Sequence, residues 1–210
     1  MNLALSRMHF PVTTLGPGDR IGIWFQGCSI RCTGCISKDT WDPEINHINI
    51  SEVENLLLEW LPKADGITVS GGEPFEQPLQ LKRVLSFIKR HSSLSTIVFS
   101  GYRYADIEWR LQDYHSLIDL LISEPFDHTQ PSSQPLRGSE NQKAHALTEI
   151  GQNLEAELTS GIQQLDAMIA SDSAWFAGIP ESDLMHKLSS ELSKEGYQIT
   201  HTQTRIPEPK

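Results

Sequence analysis

Short apolar runs alternate with amphipathic stretches along the first part of the chain. Runs rich in β-branched and aromatic residues lie at 20–26, 66–70, 96–100 and 117–122, and each predicts a buried strand. Apolar residues at helical spacing predict helices over 51–61, 81–88 and 105–114, the first opened by a capping box of Ser51 and Glu54. Such alternation is typical of an α/β fold with a parallel sheet, built as an open sheet or a partial barrel.

The pattern changes after residue 123. Residues 124–142 contain three prolines among Ser and Gln and predict a long loop, a kind of loop that is usually functional or disordered. Further on we predict a helix over 144–157, a hairpin over 163–170 and 174–179, a helix over 184–192 closed by Gly196, and a strand over 197–201. For the first half of the hairpin, a helix fits nearly as well. We therefore expect a core domain over residues 1–144 and a small C-terminal α/β module over residues 145–210.

Composition and charge narrow the class of protein. The 210 residues include 17 Lys and Arg against 27 Asp and Glu, for a formal net charge of −10. This acidic balance argues against nucleic-acid binding, because phosphate contacts use clustered Lys and Arg. No run approaches the roughly 18 apolar residues of a spanning helix, and the N-terminus lacks the apolar region of a secretion signal. We therefore expect a cytoplasmic protein with no membrane association.

The strongest chemical signal is a cluster of thiols. All three cysteines, Cys28, Cys32 and Cys35, form a C-x3-C-x2-C run directly after the first predicted strand. Soft thiolate ligands select iron–sulfur clusters or zinc. Three thiolates can bind three irons of a 4Fe-4S cube and leave the fourth iron open to a ligand. The alternative is a structural zinc site with one His such as His47, but such sites usually pair two short ligand motifs, and the sequence holds no second one.

A glycine turn follows the second predicted strand. Residues 71–74 read Gly-Gly-Glu-Pro, and glycine lets a backbone approach a ligand closely. A carboxylate at the carboxyl end of a parallel strand can bind an ammonium group, and ligands sit at that edge of such sheets. Taken alone, this turn is more often a simple strand-to-helix connection. Its place about 36 residues after the cysteine run favours a binding site.

Four stretches in family order carry a resemblance over roughly the first 145 residues. They are residues 16–41 with the cysteine run, 70–77 (SGGEPFEQ), 99–102 (FSGY), and 119–126 followed by 135–142 (DLLISEPF and PLRGSENQ). The sequence resembles the radical S-adenosylmethionine (SAM) enzymes and, among them, the activating enzymes of glycyl-radical proteins, in particular the branch that serves anaerobic ribonucleotide reductase. Gly34 departs from the wider superfamily, which usually has an aromatic residue before the third cysteine; this branch tends to carry Gly there.

The resemblance implies a partial (β/α) barrel radical SAM core that holds a 4Fe-4S cluster and SAM. It assigns the cluster to Cys28, Cys32 and Cys35, and SAM binding to Gly71, Gly72, Glu73 and Pro74. Ser100 and Gly101 would line the SAM pocket, although a polar junction between strand and loop fits these two residues equally well. Reductive cleavage of SAM would yield a 5′-deoxyadenosyl radical that takes a hydrogen from a glycine of a partner protein. No side chain is assigned a catalytic role, because the cluster and SAM carry the chemistry.

The partner implied is an anaerobic ribonucleotide reductase or another glycyl-radical enzyme, and the electron donor a flavodoxin or ferredoxin. Arg137, Ser139 and Asn141 match the family motif and would touch SAM or the partner, although Arg137 fits a surface ion pair equally well. Two alternatives stay open. One is a radical SAM enzyme that acts on a small molecule or peptide, and the other is a non-catalytic iron–sulfur module for electron transfer or scaffolding.

Overall fold

Residues 1–158, 165–169, 174–178 and 184–196 are described by the structure, which is a computed structural model. Within them, seven strands form one mixed sheet in the order β3-β1-β2-β4-β5-β6-β7. The strands are β1 (Asn2–Val12), β2 (Arg20–Phe25), β3 (His47–Asn49), β4 (Gly66–Gly71), β5 (Ser95–Phe99), β6 (Leu120–Ser123) and β7 (Lys143–Ala146). The central strands β2, β4, β5 and β6 are parallel, whereas β1, β3 and β7 pair antiparallel at the two sides.

The helices and a second, two-stranded sheet complete the described fold. The helices are α1 (Ile50–Trp60), α2 (Pro78–His91), α3 (Tyr104–Ile107), α4 (Glu149–Leu158) and α5 (Leu184–Lys194). Strands β8 (Leu165–Ile169) and β9 (Ala174–Gly178) pair antiparallel. Short 3-10 helices cover Lys38–Thr40, Leu61–Lys63, Pro74–Glu76 and Glu108–Tyr114. Among the described residues, no helix has both the length and the apolar character needed to cross a membrane.

Side chains of the parallel strands alternate between two faces of the sheet, because successive residues of a strand point to opposite sides. Ile21, Ile23 and Phe25 of β2 pack in the main core, together with apolar residues of α1 and α2. On the opposite face, Trp24 contacts Trp175 of β9 edge to face, with ring centroids 5.4 Å apart. The second sheet therefore covers part of the face that α1 and α2 leave free.

A buried guanidinium holds the amino ends of the parallel strands together. Arg20 is fully buried, and its Nε donates to Thr68 Oγ1 at 2.7 Å while Nη2 donates to the backbone oxygen of Ile67 at 2.7 Å. Its Nη1 donates to Ser95 Oγ at 3.1 Å. Burial lowers the pKa of Arg20 to about 10, against the opposing effect of more distant carboxylates. A Cβ on Gly66 would lie 2.2 Å from Nη1, so this glycine leaves the space that the guanidinium fills.

Most predicted strands and helices of the core are confirmed, with shifted ends. The sheet is mixed rather than purely parallel, because three strands that were not predicted, β1, β3 and β7, pair antiparallel. The capping box is wrong: α1 begins at Ile50, and the side chain of Asn49 accepts the hydrogen bond from the Ser51 N–H. Glu108–Tyr114 forms a 3-10 helix, so only the start of the helix predicted over 105–114 is α-helical.

The region after residue 142 differs most from prediction. Residues 143–146 form β7 rather than the start of a helix, because they pair with the edge of β6 that β5 leaves free, and α4 begins at Glu149. The antiparallel hairpin is confirmed by β8 and β9, while its turn and the strand predicted over 197–201 lie outside the described residues. The predicted domain boundary near residue 145 falls inside β7, and the division into two domains stays a prediction.

Candidate functional site

Four loops meet at one edge of the sheet, because the carboxyl ends of parallel strands lie side by side. They follow β2, β4, β5 and β6, and backbone hydrogen bonds join them. Glu73 N–H donates to Gly27 O at 2.8 Å, and Glu124 N–H donates to Tyr102 O at 2.9 Å. The glycine turn predicted from the sequence therefore contacts Gly27, the residue directly before the cysteine run.

The cysteine loop follows β2, and backbone hydrogen bonds join its beginning to its end. Cys28 N–H donates to Trp41 O at 3.1 Å, and Cys35 N–H donates to Cys32 O at 3.1 Å. The backbone takes positive φ at Arg31 (52°) and Gly34 (79°), which turns the chain twice within the run. All three cysteines are free thiols and half-buried. Within the described residues, no three or more His, Cys, Asp or Glu side chains are grouped around the position of a single metal ion.

Burial sets the protonation of the thiols. It raises the pKa of Cys28 to about 11, although N–H groups of Arg31 and Ile30 act in the opposite direction. Burial also raises the pKa of Cys32, and there the N–H of Phe126, from the loop after β6, opposes it. Thiols of this kind stay protonated until a cation takes the place of the proton. The donor set fits a 4Fe-4S cluster, because each iron takes one soft thiolate and the ligands need not surround one point.

Trp41 lies beside the third thiol. Burial raises the pKa of Cys35, and the N–H of Ser37 followed by the indole of Trp41 lowers it. The indole Nε1 is buried and falls short of hydrogen-bond geometry to any partner among the described residues. This donor lies beside the sulfur and has no other acceptor among the described residues.

The glycines of the turn allow two backbones to cross. Gly71 has φ of 104°, and a Cβ there would lie 2.4 Å from Phe25 O. On Gly72 a Cβ would lie 2.1 Å from Gly27 O. Both contacts are with backbone atoms that cannot move aside, so the turn needs glycine in order to pack under the cysteine loop. Pro74 is buried and opens the 3-10 helix Pro74–Glu76.

Glu73 is fully buried and is hydrogen-bonded to two other predicted site residues. Its carboxylate accepts hydrogen bonds from Gly101 N–H at 2.7 Å and from Ser100 Oγ at 3.0 and 3.1 Å. It also accepts from Phe75 N–H at 3.0 Å. Burial raises the pKa of Glu73 to about 7, while these donors oppose the rise. The structure thus brings Glu73, Ser100 and Gly101 together, with the carboxylate bonded to the two turns.

Two further polar residues of the turn region went unassigned in the sequence analysis. Glu76 accepts from Ser29 of the cysteine loop, at 3.0 Å from its N–H and 2.5 Å from its Oγ. Tyr102 OH donates to the same carboxylate at 3.2 Å. Gln77 Nε2 donates to Gln26 O at 2.9 Å. Glu76 and Gln77 belong to the SGGEPFEQ stretch that carries the resemblance, but their hydrogen-bond partners depend on the fold.

The loop over 124–142 is confirmed as irregular apart from one isolated bridge, and it folds back on the cysteine loop. A Cβ on Gly34 would lie 3.4 Å from Phe126 Cε1 and 3.1 Å from His128 Cβ. Ser139 and Asn141 bond to the backbone of this same loop. The Arg137 N–H donates to Gln134 O at 3.3 Å. The predicted contacts of these three residues with SAM or a partner stay predictions.

Comparison with known proteins identifies the class. Residues 14–145 match the family described as "4Fe-4S single cluster domain", and the chain belongs to this family. An anaerobic ribonucleoside-triphosphate reductase-activating protein of Vibrio cholerae is 29% identical over 150 residues, which cover 67% of this chain and 96% of the relative. The protein of the same name from Enterobacteria phage T4 is 25% identical over 139 residues, covering 64% and 88%.

One further sequence relative and one solved structure are also similar to this chain. A pyruvate formate-lyase-activating enzyme of Clostridium pasteurianum is 36% identical over 98 residues, which cover 44% of this chain and 41% of the relative. Among solved structures, QueE from Escherichia coli matches with a TM-score of 0.40 and 18% identity, over 48% of this chain and 53% of that chain. The sequence relatives confirm the predicted resemblance to radical SAM activating enzymes, and with it the prediction of an enzyme.

Proposed function

We propose that this chain cleaves SAM reductively and installs a glycyl radical on a partner protein, of which an anaerobic ribonucleotide reductase is the leading candidate. The observation that carries this proposal is the contact between the three-cysteine loop and the Gly-Gly-Glu turn, in a chain similar to activating proteins over its first two thirds. The names of the related reductase-activating proteins support the choice of partner.

Each cysteine has one task in this proposal. Cys28, Cys32 and Cys35 would each bind one iron, which leaves the fourth iron for the amine and carboxylate of SAM. When bound, the cluster supplies one electron to the sulfonium of SAM, from which methionine and a 5′-deoxyadenosyl radical are released. The protein itself would bind and orient SAM and exclude water from the site.

The glycine turn would hold the methionyl amine. Gly71 and Gly72 offer a backbone without side chains, and Pro74 fixes the direction in which the chain leaves. Glu73 would supply the negative charge. Hydrogen bonds from Ser100 and Gly101 fix the orientation of its carboxylate, and these two residues would line the same site. Because the carboxylate is buried, a ligand ammonium would meet it in a medium where charge interactions are strong.

The finer features of the resemblance belong to the same proposal. We infer that β2, β4, β5 and β6 form the wall of a partial barrel whose open side admits a loop of the partner. The core over residues 1–144 would carry the chemistry, with residues 145–210 as an appendage. A flavodoxin or ferredoxin would deliver the electron, and the protein would act in the cytoplasm.

Anaerobic reconstitution tests the reaction. The full chain is incubated with iron, sulfide, dithionite and SAM, and 5′-deoxyadenosine is measured by chromatography. We expect product above one equivalent, and none from the Cys32→Ser variant. The chain is first assayed without any protein substrate, and a reductase is then added and examined by electron paramagnetic resonance (EPR). Product in the first step and a glycyl-radical doublet in the second support the full proposal. A stable cluster without product would instead indicate an electron-transfer or scaffold module, and product without the doublet a small-molecule or peptide substrate.

A further inference from the structure

The peptide between Pro125 and Phe126 has partners on both sides. Its carbonyl, on Pro125, accepts a hydrogen bond from Asn141 Nδ2 at 2.7 Å. Its N–H belongs to Phe126, whose ring packs against Gly34 of the cysteine run, and this N–H lowers the pKa of the Cys32 thiol against the larger effect of burial. Asn141 Oδ1 is buried and has no hydrogen-bond partner among the described residues. The hydrogen bond that this side chain makes is therefore the one to the Pro125–Phe126 peptide.

Neighbouring side chains of the same stretch hold the adjacent backbone. Gln142 Nε2 donates to Glu124 O at 3.3 Å, and Ser139 Oγ accepts from Asp127 N–H at 3.1 Å. Gln142 Oε1 accepts in turn from Gly138 N–H at 2.8 Å. Side chains within residues 139–142 thus hold the backbone of residues 124–127 in place. These contacts give the polar residues of this stretch a structural role.

The ring of Phe126 packs between two glycines. A Cβ on Gly34 would lie 3.4 Å from its Cε1, and a Cβ on Gly138 would lie 3.1 Å from its Cδ2. Gly34 also has a φ of 79°, which side chains rarely tolerate. Gly34, the residue before Cys35, has no side chain. The ring of Phe126 therefore provides the aromatic group beside this position.

We propose that Asn141 is a positioning residue for the iron–sulfur site, which holds the Pro125–Phe126 peptide so that its N–H donates to the Cys32 thiolate. Hydrogen bonds to ligand sulfurs stabilise the more negative, reduced cluster and raise its reduction potential. A donor at the carbonyl also polarises the peptide and strengthens its N–H. The inference rests on the proposed function only in requiring that Cys32 binds a cluster.

Potentiometric titration of the anaerobically reconstituted full chain, followed by EPR, tests the inference. Asn141→Leu removes the donor and keeps the branched shape of the side chain. At the wild-type midpoint we expect the ratio of reduced to oxidised cluster to fall about tenfold, a shift of about 59 mV to lower potential for one electron. Asn141→Asp places an oxygen against Pro125 O and is expected to shift the potential in the same direction. Asn153→Asp, on the exposed side of α4, adds the same charge elsewhere and is expected to leave it unchanged.

Iron and sulfide content and the thermal midpoint verify that the variants are loaded and folded. A wild-type potential in a fully loaded Asn141→Leu protein, or an equal shift in Asn153→Asp, would overturn the proposal. A second measurement needs no variant at Asn141. Wild-type chain labelled with ¹⁵N-phenylalanine should show a ¹⁵N coupling in pulsed EPR of the reduced cluster, and Phe126→Leu should remove it. Absence of that coupling in the wild type overturns the proposal as well.

The outcome is independent of SAM cleavage. An Asn141-dependent potential in a protein that forms no 5′-deoxyadenosine would retain the positioning role and reject the proposed function. Product formation with a potential that does not respond to Asn141 would do the reverse.

Discussion

The carboxylate of Glu73 accepts a hydrogen bond from the Gly101 N–H at 2.7 Å, across 28 residues of sequence. This bond joins the turn after β4 to the turn after β5, on a residue that is fully buried. The acidic residue expected to bind a ligand amine is therefore also part of the structure that aligns the two turns.

The raised pKa of Glu73 makes stability depend on pH. Since the folded pKa of about 7 exceeds the ordinary carboxyl pKa of 4.5, the folded state binds more protons than the unfolded state between these values. The contribution of Glu73 is fully present below pH 4.5 and is lost as the pH rises through about 7. We expect urea midpoints of the cluster-free chain to fall over this window, and Glu73→Gln to flatten that fall. An equally steep fall in Glu73→Gln would assign it to other groups.

The glycine turn should not tolerate a methyl group. Gly72→Ala would place Cβ 2.1 Å from Gly27 O, and relief of that contact requires one backbone to move. We expect a loss of about 3 kcal/mol in the free energy of unfolding, measured by urea denaturation. Gly196→Ala is the control, because its φ of 89° is strained but no atom lies within 4 Å of the added Cβ. Its loss should be about 1 kcal/mol; equal losses would contradict the steric argument.

The buried guanidinium of Arg20 should not be replaceable by an ammonium. Lysine has three donors on one atom and cannot reach the separate acceptors on Thr68, Ile67 and Ser95. Arg20→Lys should therefore cost about 2 to 3 kcal/mol in unfolding free energy, by urea denaturation. Arg83→Lys changes the partner of Glu54 on the surface and is expected to have little effect. A stable Arg20→Lys protein would show that water enters the site.

The Trp41 indole should influence Cys35 before any cluster is bound. In a chain whose other two cysteines are changed to serine, Trp41→Phe removes the N–H that lowers the pKa of the Cys35 thiol. We expect the pH profile of Cys35 alkylation to move to higher pH. Trp24→Phe, in contact with Trp175 on the other side of the sheet, serves as control. A Trp41→Phe profile that matches the Trp24→Phe profile would mean that the indole does not act on the sulfur.

Errors in the sequence analysis occur where pairing partners decided the structure. Residues 143–146 carry helix-compatible side chains but lie beside β6, whose free edge offers backbone partners, and strand pairing prevails there. Residues 2–12 received no assignment, although they form β1 and pair with β2. Their half-buried pattern mixes polar and apolar residues and gives no clear period.

The linear sequence was sufficient for features that depend on neighbouring residues. The cysteine spacing, the Gly-Gly-Glu-Pro turn and the buried strand of Ile21 and Ile23 are all local patterns, because a single strand or turn decides which residue types it can hold. The tertiary structure alone decided which distant groups complete them. Enclosure of Glu73 by Ser100 and Gly101, and the packing of Phe126 against Gly34 of the cysteine run, depend on the order of the parallel strands, which brings loops far apart in sequence to one edge.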